Sequence, residues 1–200
     1  MKQEIETTPL GRPRAFDPGE ALEQAMHLFW RNGYLGTSLS DLTDAMGINR
    51  PSLYAAFGNK ESLFRQALQR YLDGPATYLQ IALEEPTARG VVERILYGAV
   101  NLVTDPRTPR TCLWVHAALS CGNSSHPFYD EFAAQRAEGH AALRTRFKRA
   151  LSEGDLAAGT DPDALARFVQ TLNFGLSVQA ATGASRRELV RVIATALEAL

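Results

Sequence analysis

"SLSDLTDAMGINRPSLYAAFGNKESLF", residues 38–64, reads as two short helices and the start of a third. Ser38-Leu39-Ser40-Asp41 has the spacing of a capping box, in which a hydroxyl and a carboxylate each satisfy an amide the first turn leaves unpaired. Leu39, Leu42 and Met46 then form one apolar edge, and Gly47 stops the helix. Asn49 can cap the next helix, whose apolar side is Leu53, Ala56 and Phe57. Gly58-Asn59 ends it, and Lys60 or Glu61 opens a longer helix carrying Leu63, Phe64, Ala67, Leu68 and Tyr71. Two short helices joined by Gly47-Ile48-Asn49 make a helix-turn-helix. If their apolar sides pack on a preceding helix that includes Phe29, then Arg50, Pro51, Ser52, Tyr54 and Ala55 are left facing outward.

That preceding helix begins at Asp17-Pro18, with Leu22, Ala25, Met26 and Phe29 at helical spacing, and ends at Gly33. Before it, residues 1–16 read as a flexible arm containing "GRPR" at 11–14. Beyond Tyr71, Gly74-Pro75 interrupts the chain, and short helical text runs to Glu84. A further helix opens at Pro86-Thr87, with Val91, Ile95, Leu96, Ala99 and Val103 inward. "TCLWVHAALSCG" (111–122) reads as a short buried helix, and Phe128, Phe132, Leu143, Phe147 and Leu151 mark a long one. Asp161-Pro162 opens another, and Ser185-Arg186-Arg187-Glu188 is a capping box for the last. No stretch has the two-residue alternation of a strand. The expectation is an all-α protein of about nine or ten helices.

Bulk composition narrows the class. Apolar residues make up 45% of 200, enough for a real core. The formal charge of −1 gives no global attraction to nucleic acid, so such binding must rest on local basic positions. No apolar run approaches the roughly 18 residues that span a bilayer, which predicts a cytoplasmic protein with no membrane partner. Cys112 and Cys121 lie nine positions apart in what reads as one helix. That places them on opposite faces about 13 Å apart along the axis, too far for a disulfide.

The outward face of the second short helix suits the DNA major groove. A recognition helix reads bases with its N-terminal residues. Arg50 can reach guanine O6 and N7 together, Ser52 can bond several bases, and Pro51 can touch a thymine methyl. Tyr54, Lys60 and the Thr37-Ser38 helix start are placed to hold phosphates, with Asn49 at the cap between. Residues 47–60 hold two cations, Arg50 and Lys60, and no acid. In the arm, Arg12 and Arg14 flank Pro13 and suit a narrow minor groove.

The residues Gly33-Tyr34, Thr37-Ser38, Leu42, Gly47-Ile48, Leu53-Tyr54, Phe57 and Lys60-Glu61-Ser62-Leu63 resemble the N-terminal signature of the TetR/AcrR family of bacterial transcriptional regulators. The resemblance implies a three-helix DNA-binding domain at 17–62 and a larger helical ligand-binding and dimerisation domain at 63–200. It implies a homodimer on a palindromic operator, with an interface on the last two helices; Phe168, Leu172, Leu176, Leu189, Ile193, Ala196 and Leu197 are the candidates. It implies a pocket among the middle helices for an apolar or aromatic effector, with Tyr97, Trp114, His116, Phe132 and Phe174 as candidate walls. The sequence shows no Ser-His-Asp order, no phosphate loop and no paired carboxylates on one helix, and only four histidines, so neither an enzyme nor a cofactor is expected. Two other readings concern the same residues. Cys112 and His116, four apart, could form half of a metal site or, with Cys121, part of a thiol sensor. An architectural DNA-binding protein that senses nothing would bind without sequence preference.

Overall fold

The computed structural model describes residues 16–120 and 127–198. Among them are ten helices and no strand: α1 (Pro18–Asn32), α2 (Leu39–Met46), α3 (Arg50–Phe57), α4 (Lys60–Asp73), α5 (Tyr78–Ala82), α6 (Ala88–Thr104), α7 (Leu113–Ser120), α8 (Tyr129–Ser152), α9 (Pro162–Ala181) and α10 (Arg186–Glu198). Arg12, Arg14 and Cys121 lie outside the described residues.

The helix starts follow the side chains that cap them. The Asp17 carboxylate accepts from the amides of Gly19 and Glu20, with Pro18 in the first turn, where its missing N–H costs nothing. Ser185 and Glu188 exchange bonds across the start of α10, as their spacing predicts. Against the single-helix reading of 111–122, α7 begins only at Leu113. Cys112 stands before it and accepts the His116 amide on its carbonyl (2.9 Å), so Cys112 starts the helix instead of lying within it.

Two apolar clusters organise the chain. The first joins α1–α4, including Met26, Phe29, Trp30, Leu42, Leu53, Phe57, Phe64 and Tyr71. It extends into Cys112, Leu113, Val115 and Ala117 and takes in Phe128 and Phe132. The second joins α5, α6, α8, α9 and α10 around Val91, Leu96, Phe147, Val169 and Ile193. There α6 packs on α5, α9 and α10, and α8 packs on α9. A side chain at Gly98 would collide with the Tyr78 ring, so its absence lets α5 lie closely on α6. Arg146, 5% exposed, donates to the Glu85 carbonyl (2.7 Å) and ties α8 to the α5–α6 turn. No described helix is long and apolar enough to cross a membrane.

Candidate nucleic-acid interface and linked cavity

The presentation of α3 is built from its flanks. Ser38 donates its amide to Asp41 (2.8 Å) and accepts the Asp41 amide on its hydroxyl (3.1 Å), completing the capping box of α2. Those bonds hold the Asp41 carboxyl below the usual carboxylate range. Gly47 ends α2 at φ 65°, ψ 29°, the left-handed conformation that a side chain disfavours. Asn49 accepts the Ser52 amide (2.9 Å) and starts α3 two residues later. Leu53 and Phe57 are buried beneath the helix, which leaves Arg50, Pro51, Tyr54 and Ala55 exposed and Ser52 half-buried. Arg50 takes part in none of the ion pairs among the described residues.

The residues expected at phosphates divide. Tyr54 is 48% exposed and Ser38 is exposed at the helix start. Lys60 is half-buried, its Nζ 4.3 Å above the Tyr34 ring; partial burial lowers its pKa, and Asp41 opposes that. Thr37 requires a correction. It is fully buried, and its hydroxyl donates to the Gly33 carbonyl (2.7 Å), so its side chain faces the core. At that helix start Ser38 is exposed and Thr37 is not.

The five expected pocket residues are not brought to one place. Trp114 and Phe174 line a cavity of about 330 Å³ bounded by α4–α9, with Tyr71, Leu72, Leu79, Cys112, Leu143 and Val169 among its other walls. Phe132 lines a second hollow beside it, of about 320 Å³, which shares Trp114 and Phe174. Tyr97 is elsewhere, on a polar groove along α5 and α6 with Glu93, Arg94 and Asn101. His116 lines none of these cavities; its Nδ1 donates to the Trp30 carbonyl (3.2 Å) beside Gly33. Sequence reasoning missed Asn173, 7% exposed on the cavity wall with no hydrogen-bond partner for Oδ1.

Cys112 and His116 do not share a site. The Tyr71 hydroxyl donates to Cys112 Sγ (3.2 Å), while His116 turns to α1. Full burial pushes the Cys112 thiol up, away from the reactive thiolate. Among the described residues no three His, Cys, Asp or Glu side chains could hold a metal ion.

The expected dimer residues are mostly core. Leu176, Leu189, Ile193, Ala196 and Leu197 are buried within the chain, and Leu172 packs partly against them. Phe168 is 40% exposed. The outward face of α9 is instead Ala164, Phe168, Thr171, Gly175, Val178 and Thr182, all exposed and uncharged. Their alternating spacing of four and three is that of a heptad repeat. On α10, Val192 and Thr195 are exposed likewise.

Comparison with known proteins agrees with the helical fold and its N-terminal helix-turn-helix. Residues 21–67 match the family described as bacterial regulatory proteins, tetR family, and residues 86–196 match the tetracyclin repressor-like C-terminal domain. The chain is 33% identical over 189 residues to the HTH-type transcriptional repressor ComR of Escherichia coli K12, covering 94% of this chain and 90% of that one. It is 33% identical over 195 residues to the repressor BdcR of the same organism, covering 95% and 92%. A cysteine mutant of the TetR family transcriptional regulator CifR, solved with 26-base-pair operator DNA, superposes with a TM-score of 0.87 at 46% identity, covering 94% and 99%.

Proposed function

The chain belongs to the TetR family of bacterial regulatory proteins, and on that premise we propose that it is a DNA-binding transcriptional repressor released from its operator by a small molecule. The observation that carries this reading is α3. It is pinned by Leu53 and Phe57 and presents Arg50, Pro51 and Ser52 at its N-terminal end. In the major groove those three face base edges, while Tyr54, Lys60, Ser38 and the amides of the α2 start meet phosphates. Arg12 and Arg14 of the arm add minor-groove contacts.

The domain division at 17–62 and 63–200 assigns sensing to the larger part. A palindrome needs two heads, and we assign the joining surface to the outward stripe of α9 with Val192 and Thr195 of α10. A Cβ on Gly175 would meet nothing within 4 Å, so a second helix can approach closely there. The effector site is the cavity walled by Trp114 and Phe174. Its route to the head is short: Trp114 packs on Phe132 (4.4 Å between ring centres), Phe132 on Phe128 (6.3 Å), Phe128 on Phe64 (5.0 Å) and Phe64 on Phe29 (4.9 Å).

Selection of genomic DNA fragments by the purified full-length protein, at near-physiological salt, tests the reading. Enrichment of one palindrome is the expected result. Uniform retention of all fragments with a steep salt dependence would replace a repressor with a non-sensing packer of DNA.

A further inference from the structure

We propose that the effector taken by the α4–α9 cavity is an uncharged small molecule with an apolar body and one hydroxyl group, which binds Asn173. The proposal rests on the regulator reading above and names the ligand class of that site.

The body follows from the walls. Leu72, Leu79, Leu143, Val169, Trp114 and Phe174 surround a space of about 330 Å³, which accommodates a compact molecule of one or two fused rings. The absence of charge follows from what lies deep inside. The charged residues on the lining, Arg136 and Glu138, are solvent-exposed. The buried polar groups, Tyr71, Cys112 and Asn173, are neutral side chains, and burial keeps the phenol and the thiol protonated. A carboxylate or ammonium drawn into the depth of this space would lose its water, with counter-charges only at the exposed Arg136 and Glu138.

The hydroxyl follows from Asn173. Tyr71 and Cys112 satisfy one another, the phenol donating to the sulfur at 3.2 Å. Asn173 is different: it sits mid-helix in α9, is 7% exposed, and its Oδ1 has no partner. Buried polar groups in native proteins are nearly always paired, and asparagine is a poor helix former. An apolar residue would serve α9 better unless a bound molecule completes the amide. Oδ1 is closed off as placed, but rotation of the amide presents its oxygen or its nitrogen to the space that Asn173 lines, and a hydroxyl, which both donates and accepts, meets either.

Calorimetry on the full-length protein with three probes tests this: 1-naphthol, 1-methylnaphthalene and 1-naphthoate. The expected order places naphthol about tenfold tighter than methylnaphthalene, with naphthoate weakest. In Asn173→Leu, naphthol and methylnaphthalene should bind alike. The comparison in the unaltered protein stands even if the variant does not fold. Equal binding of naphthol and methylnaphthalene, tightest binding of naphthoate, a naphthol preference that survives in folded Asn173→Leu, or no binding by any probe overturns the proposal. Fragment selection on the same preparation separates the two failures: a protein that enriches a palindrome but ignores the hydroxyl leaves the regulator reading standing.

Discussion

Arg50 stands exposed in the first turn of α3, beside no acid of its own helix and outside the described ion pairs. Arg50→Ala should cost operator binding about 1–3 kcal/mol and relax preference at one base pair, leaving random-sequence DNA almost unaffected. Paired titrations of operator and scrambled duplex check this, and equal losses on both would show that Arg50 only holds phosphate. A second residue-scale expectation concerns His140, whose Nε2 lies 2.9 Å from Asp163, with Arg144 and Arg167 at 3.6 and 3.7 Å. The His140 hydrogen bond holds the Asp163 carboxyl below its ordinary value. A depressed carboxylate stabilises the fold above its unfolded pKa and ceases to do so as pH falls through the folded one. Asp163→Asn should therefore be less stable than the parent at pH 7, and urea unfolding should show the gap closing only below about pH 4. Capping residues such as Ser38, Asn49 and Asp17 were legible in the sequence because their bonds span two or three positions. Thr37 was not. It precedes the cap, where a side chain turns inward toward the fourth helical residue, here the buried Leu42.

Periodicity gives an element its apolar positions but does not say which of two apolar faces meets the same chain. In α9 the inward set is Leu165, Val169, Leu176 and Ala180, and the outward set runs from Ala164 to Thr182. The sequence reading chose Phe168, Leu172 and Leu176 for the partner; Leu176 is buried within the chain and Leu172 half-buried, while Phe168 lies on the outward stripe. The outward stripe is quieter because Phe168 and Val178 are separated by Thr171 and Gly175. Val178→Asp should convert dimer to monomer at micromolar concentration, since a charge on a seam would be buried against its own symmetry copy. Leu176→Ala makes the contrast. It should lower folding stability by about 2–5 kcal/mol while leaving the association state unchanged. Sedimentation and denaturant unfolding of both variants distinguish the faces. A Val178→Asp protein that remains dimeric would move the joining surface away from α9.

Across the whole molecule, the helix count and the placement of the head were legible, because each rests on local signals. The junction between head and sensor was not, because it joins residues far apart in sequence. The Trp30 indole donates to the Thr111 carbonyl (2.6 Å), the Tyr71 hydroxyl donates to Cys112, and His116 bonds the Trp30 carbonyl. The segment from Thr111 to His116 thus touches α1 and α4 on one side and the cavity, through Cys112 and Trp114, on the other. On the proposed reading, a ligand that displaces Trp114 would shift the same short segment that holds α1, which would give the two sites a shared element to bias. Trp30→Phe keeps an aromatic ring against Tyr71 and removes the bond to Thr111. It should leave operator affinity without ligand within about threefold of the parent, while the weakening of that affinity by 1-naphthol shrinks several-fold. The unpaired Thr111 carbonyl should also cost about 1–3 kcal/mol of stability, which thermal unfolding registers separately. Destabilisation accompanied by an unchanged response to naphthol would make the Trp30–Thr111 bond a structural tie, and the signal would have to pass through the Phe132–Phe128–Phe64 stack alone.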